Sequence, residues 1–155
     1  MRSWRHHVQV KVKKLKPNAI LPEYQTDQAA AMDIHACLDE PMTLEPLARA
    51  MIPTGLAFEL PDGYEMQIRA RSGLSIKHGI TMVNGIGTID ADYRGELNIL
   101  TINLGSEPFV IEPGMRVAQL LISQYEKITW QETDELNETA RSSGGFGSTG
   151  FDNKA

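Results

Sequence analysis

The stretch GTIDADYRGE, residues 87 to 96, places two aspartates, a tyrosine and an arginine between two glycines. Asp tolerates tight backbone geometry and Gly supplies positive φ, so an exposed hairpin turn accounts for this composition by itself. A second reading holds one of the two carboxylates on a short rigid hairpin, where it can orient a water for attack. The segment RARSGLSIKHG offers a complementary charge: Arg71 and the amides of Ser72, Gly73 and Leu74 open a predicted helical turn capped by Ser72 and ended by Gly79. Helix N-termini attract phosphate through free N–H groups and the local dipole, although an ordinary capped turn has the same composition. Gln119 in RVAQLLIS and Asp33 in AAMDIHA are polar residues in apolar runs. Gln119 must bond backbone or ligand oxygens, because an unpaired buried amide costs a few kcal/mol. Asp33 reads either as a partly buried acid paired with an Arg or as an acid near a metal-bound phosphate.

Other chemistries find no support. There is no Walker-type glycine loop or dinucleotide fingerprint, and His6, His7, His35 and His78 lack zinc spacing. Ser, Cys and His form no recognisable nucleophilic triad. Cys37 is the single cysteine, which excludes an internal disulfide and fits a small buried apolar residue. The formal net charge of −5 argues against a generic nucleic-acid coat. Lys11, Lys13, Lys14 and Lys16 are expected on the solvated face of a first strand, with Val8, Val10 and Val12 facing the core. No run approaches a membrane span and no apolar stretch follows the basic N-terminus, so a cytoplasmic protein is expected.

The elements that must position these residues are short. YEMQIRA, LNILTINL, PFVIEP and RVAQLLIS are separated by turn signals at PDG, LGSEP and EPGM, which is the pattern of an all-β sandwich or jelly roll. Eight scattered prolines leave little room for any helix longer than the turn in SGLSIKHG. With 155 residues, one domain over 1–140 is expected, followed by a glycine-rich tail over 141–155. The tail carries an aromatic, Phe146, among its glycines, which suggests a lid that orders over a flat ligand.

Together, AAMDIHA, RSGLSIKHG, NGIGTIDADYRGE, RVAQLLI and RSSGGFGSTG resemble, in order and spacing, the five motifs of the dUTPases. These all-β nucleotidohydrolases cleave dUTP to dUMP and pyrophosphate. The likeness spans about residues 29 to 150, with local departures at Ala31, Ala70 and Ser142, the last where Gly is common.

The resemblance implies a role for each matched residue. Asp90 matches the catalytic aspartate that activates the water attacking the α-phosphorus. Arg71, Ser72, Gly73 and Gln119 match phosphate-binding positions. Asn84, with Thr88, Ile89 and Asn98, resembles the uracil and deoxyribose pocket, and Tyr93 the residue that leaves no room for a 2′-hydroxyl. Phe146 resembles the tail aromatic that stacks over uracil, and Arg141, Gly147, Ser148 and Thr149 match tail contacts to the nucleotide. Asp33 matches an acid linked through water to Mg2+, which the substrate phosphates mainly hold. A homotrimer with sites shared between subunits is also implied. Two rival readings are a dCTP deaminase relative and a non-catalytic nucleotide sensor. The deaminases carry a catalytic Glu in the strand after the hairpin, where residues 97 to 104 here have no acid.

Overall fold

The computed structural model describes residues 7–146. Ten strands run as β1 (Lys11–Lys14), β2 (Met32–His35), β3 (Met42–Leu44), β4 (Arg49–Glu59), β5 (Tyr64–Arg69), β6 (Ile80–Met82), β7 (Gly87–Ile89), β8 (Glu96–Asn103), β9 (Phe109–Ile111) and β10 (Arg116–Gln124). The single helix, α1 (Ser72–His78), separates β5 from β6. One sheet has the order β1-β4-β8-β6, a second the order β2-β10-β5-β7, and β3 pairs with β9 in a separate ribbon. Every pairing is antiparallel. The result is the jelly-roll-like β sandwich expected from the short alternating runs, without closure into a barrel.

Alternation makes the core. Along β8, Leu97, Ile99, Thr101 and Asn103 are buried while Leu100 on the other face is exposed. Leu97 and Ile99 meet Ile52, Leu56 and Phe58 of β4, Met66 and Ile68 of β5, and Ala118 and Leu120 of β10 in one continuous cluster. Three of the buried polar residues, Thr54, Thr101 and Asn103, find partners on the backbone, as interior polar groups must find a partner. Thr54 Oγ1 donates to the Leu97 carbonyl at 2.7 Å, and Asn103 Nδ2 donates to the carbonyls of Leu44 and Glu107 at 2.9 and 2.8 Å. Asn103 thereby ties the β3–β9 ribbon to β8.

The longest strand, β4, contains Pro53 and Gly55, residues that argue against an interior strand when read from sequence. Its register with β8 shifts between Pro53, which still pairs with Asn98, and Ala57, which pairs with Glu96, an irregularity that leaves Gly55 outside the regular ladder. Gly55 sits at φ +67°, and a Cβ there would lie 2.8 Å from both Ala19 Cβ and Cys37 Sγ.

Two local expectations are corrected. The first strand is exposed along its whole length, with Val12 at 41%. Val8, Val10 and Val12 line an open groove beside Phe58 and Leu121; Val10 packs against the core as expected, whereas Val12, on the edge strand β1, stays exposed. At the helix, Arg71 and not Ser72 takes the N-cap position, and no side chain caps the first turn. Gly79 does end the helix, at φ +71° in the left-handed region. Cys37 is buried as expected, and burial pushes its thiol pKa up. Among the described residues, no helix is long and apolar enough to cross a membrane.

Candidate active site

The charged hairpin of residues 84 to 96 is a turn that also borders two clefts. Arg94 Nη1 donates to the carbonyls of Ala91 and Tyr93 at 2.6 and 3.1 Å, and Tyr93 N–H donates to the Asp90 carbonyl at 3.1 Å. Those bonds close the tip and answer for part of its polar composition. Asp90 follows β7 directly and is exposed. It stands on the rim of a cleft of about 270 Å³, together with Thr88, Ile89, Tyr93 and Asn98. Met51, Leu97 and Leu100 complete the apolar part of its lining. Four of the predicted nucleoside residues, Thr88, Ile89, Tyr93 and Asn98, thus come together with Asp90 from β7, the hairpin and β8. Asn84 does not line this cleft; its Nδ2 lies where a Cβ on Gly87 would be 3.7 Å away. Behind the hairpin, Asp90 also borders a polar cleft of about 510 Å³ with Asp62, Glu65, Asp92, Arg94 and Lys127.

The predicted phosphate residues gather elsewhere. Asp33, nearly buried on β2, is bridged by two arginines: Arg71 Nε lies 3.3 Å from Oδ1 and Arg116 Nη1 lies 3.1 Å from Oδ2. Arg71 Nη1 also donates to the Arg116 carbonyl at 2.9 Å, and Arg116 donates to Gln25 Oε1 at 3.1 Å. Of the two sequence readings of Asp33, the acid paired with arginine is the one seen. Gln119 lies opposite Asp33 in the β10–β2 register and donates Nε2 to the Ala70 carbonyl at 2.9 Å, so its amide is satisfied by backbone. Ser72 and Gly73 open α1 in exposed positions. Arg116 is a neighbour of Asp33 that sequence reasoning missed; strand pairing brings it there.

His35, paired in register with Arg116, has a buried Nδ1 without a hydrogen-bond partner. Burial, reinforced by the Arg116 charge, lowers its pKa below 6.5 despite the opposing pull of Asp33 and Glu23.

The two clusters are not one site within a chain. Ile89 pairs with Met66, so Asp90 leaves toward the Tyr64 end of β5, while Arg71 lies beyond the opposite end. Five residues of near-extended chain between Met66 and Arg71 span about 16 Å. None of the residues Arg71, Ser72, Gly73 and Gln119 borders either cleft containing Asp90.

After β10 the chain runs through residues 125–146 without helix or strand, an irregular stretch that begins earlier than the expected boundary at 141. Arg141 Nε donates to the Gly144 carbonyl at 2.8 Å, within its own turn. Ser142 adopts φ +45°, a left-handed conformation at the position where Gly is common in the tail motif. Phe146 is fully exposed at φ +50°. Gly147, Ser148 and Thr149 lie outside the described residues, as does His6.

Two four-stranded antiparallel sheets, with a cleft of about 270 Å³ that has a carboxylate among its lining residues, define a jelly-roll-like β protein. The dUTPase family model matches residues 17–150, and the chain belongs to the dUTPase family. It is 57% identical over 143 residues to the deoxyuridine 5'-triphosphate nucleotidohydrolase of Rickettsia conorii, covering 92% of this chain and 97% of that protein. The Rickettsia bellii protein of the same name is also 57% identical over 143 residues, covering 92% and 95%. Among solved structures, the dUTPase of Staphylococcus bacteriophage 80alpha with dUPNHPP superposes with a TM-score of 0.83 at 29% identity, over 92% of this chain and 99% of that one. A dUTPase from phage phi11 of S. aureus, whose structure details the coordination of a structural Mg(II) ion, gives 0.74 at 27% identity, over 82% and 97%.

Proposed function

We propose that this chain hydrolyses dUTP to dUMP and pyrophosphate, with Asp90 taking the proton of the water that attacks the α-phosphorus. The observation that carries this reading is the position of Asp90 on the rim of the cleft formed by Thr88, Ile89, Tyr93 and Asn98. A base and sugar seated in that cleft would bring the first phosphate to the carboxylate. Main-chain groups of β7 and the hairpin can pair with the uracil edge, leaving mismatched donors and acceptors against cytosine. Rejection of thymine rests on steric fit alone. Hydrolysis at phosphorus needs positioning and charge stabilisation more than covalent help, so a carboxylate and several cationic donors suffice.

Asn84 adds to the uracil end of the site; Arg71, Ser72, Gly73 and Gln119 bind the phosphates. Arg141, Phe146, Gly147, Ser148 and Thr149 close over the bound nucleotide from the tail. Among the described residues, no group of three His, Cys, Asp or Glu side chains could hold a metal ion, and both Asp33 oxygens face guanidinium groups. That donor set fits a Mg2+ carried on the substrate phosphates and not one caged by the protein. Asp33 would meet it only through water. When bound, the ion supplies neutralisation of phosphate charge.

The separation of Asp90 from Arg71 supports a homotrimer in which one site draws on different chains. Met51 and Leu100, paired across β4 and β8, expose 62% and 37% of their surface on the outer sheet face, with Val83 nearby at 42%. Such a face suits burial against another copy. Release of pyrophosphate from dUTP, compared with dCTP, dTTP and UTP, tests the function. Rapid release from dUTP alone is expected; ammonia release from dCTP would favour the deaminase, and tight dUTP binding without turnover would favour the sensor.

A further inference from the structure

We propose that Glu96 is a positioning residue that sets discrimination between deoxyribose and ribose. This inference rests on the dUTP reading of the cleft. The Glu96 main-chain carbonyl accepts two hydrogen bonds from the cleft wall, one from Tyr93 Oη at 3.0 Å and one from Asn98 Nδ2 at 3.2 Å. Both side chains are therefore referenced to a single carbonyl. Its carboxylate reaches the other way, where Oε1 accepts the Gly55 N–H at 2.8 Å.

The anchor on the far side is rigid. Gly55 is at φ +67° in the β4 bulge, with its would-be Cβ blocked by Ala19 and Cys37, and its carbonyl accepts the Leu15 N–H at 2.7 Å. Adjacent Thr54 is fully buried and holds the Leu97 carbonyl. Glu96 faces Ala57 where the β4–β8 register shifts, so the regular ladder is interrupted beside it. The carboxylate bond to Gly55 replaces what the ladder does not provide, and an ionised acceptor makes a stronger bond than a neutral one.

Sugar selection by exclusion is sensitive to small displacements, because repulsion rises steeply over a few tenths of an ångström. The Tyr93 ring is packed so closely against Gly95 that any side chain there would collide with it. The ring is thus confined by Gly95 on one side and tethered through Oη to Glu96. Loss of the Glu96 carboxylate frees the start of β8, and Tyr93 and Asn98 move with it. Ribose then gains entry, and the deoxyribose complex is less well held.

The test compares kcat/KM for dUTP and UTP in the full chain, Glu96→Ala, Glu96→Gln and Tyr93→Phe, with thermal unfolding measured for each. Loss of one net hydrogen bond should lower the dUTP-to-UTP ratio about three- to tenfold in Glu96→Ala. Glu96→Gln keeps an acceptor oxygen and should restore the ratio to within about twofold. A parental ratio in folded Glu96→Ala, or equal losses in the Ala and Gln variants, overturns the proposal. Should Glu96→Ala fail to fold, Tyr93→Phe decides, since it removes only the Oη donor; an unchanged ratio there overturns the tether. Absence of dUTP turnover in the parent chain would overturn the functional reading along with this one, whereas turnover with unaltered selectivity removes only the role of Glu96.

Discussion

Asp33 Oδ1 lies 3.3 Å from Arg71 Nε, so the guanidinium at the head of α1 is oriented from strand β2 and not by its own helix. A single carboxylate thereby sets the direction of Arg71 and Arg116 together.

Replacing Asp33 by Asn should weaken binding of a non-hydrolysable dUTP analogue about tenfold, or ~1.4 kcal/mol, through the loss of Arg71 alignment. It should also lower stability by about 1–3 kcal/mol, because two adjacent guanidinium groups lose their counter-charge in a nearly buried site. Calorimetric binding and urea unfolding measure the two effects. Unchanged affinity would show that Arg71 does not need the pairing to bind phosphate.

Asp90→Asn keeps the shape of the hairpin and removes the proton acceptor. Single-turnover hydrolysis should fall by about 10²–10⁴-fold, the range of general-base contributions, while analogue affinity stays close to that of the parent. Asp92→Asn, exposed and outside the 270 Å³ cleft, should change hydrolysis far less. Equal losses in both variants would move the chemistry away from Asp90.

Deleting residues 141–155 should leave the sandwich folded, since no core residue among the described residues lies beyond Ile122. Removing a segment that closes over bound nucleotide should lower kcat/KM by at least about tenfold. Circular dichroism and steady-state kinetics check the pair of outcomes, and unaltered kinetics would make the tail an inert end.

Mixing defective chains examines the shared site directly. Asp90→Asn chains and chains lacking residues 141–155 are each expected to be nearly inactive. Unfolded and refolded together, they should recover activity, because some trimers would join an intact hairpin from one chain to an intact tail from another. Verified reassembly with no recovery would confine each site to one chain.

The half-buried His35 predicts a pH dependence of stability. Its folded pKa is depressed below 6.5 by burial and by Arg116, so the unfolded chain binds the proton more readily. The stabilisation is complete above pH 6.5 and declines as pH falls from there toward the folded pKa. Urea unfolding between pH 7.5 and about 5 should show this loss, and His35→Gln should flatten it. An identical profile in the variant would assign the loss to other groups.

Much of this protein is local, and local features are legible in one dimension. The alternation in LNILTINL and RVAQLLIS requires strands with one buried face, Gly79 ends its helix by adopting positive φ, and the five motif segments carry the family chemistry in their order. Register and partnership are not local. The pairing of Asp33 with Arg71 and Arg116, and the hold of Gly55 on Glu96, join residues far apart in the chain, so their spacing carries no periodic signal. The interior course of β4 was obscured by Pro53 and Gly55, whose local preferences oppose a strand until a bulge admits them. The exposed Val12 shows the converse, since alternation defines two faces but cannot say whether another layer covers one of them. Chain geometry alone decides that Asp90 and Arg71 lie toward opposite ends of β5, which is why a sequence that contains both proposed groups does not place them in one site.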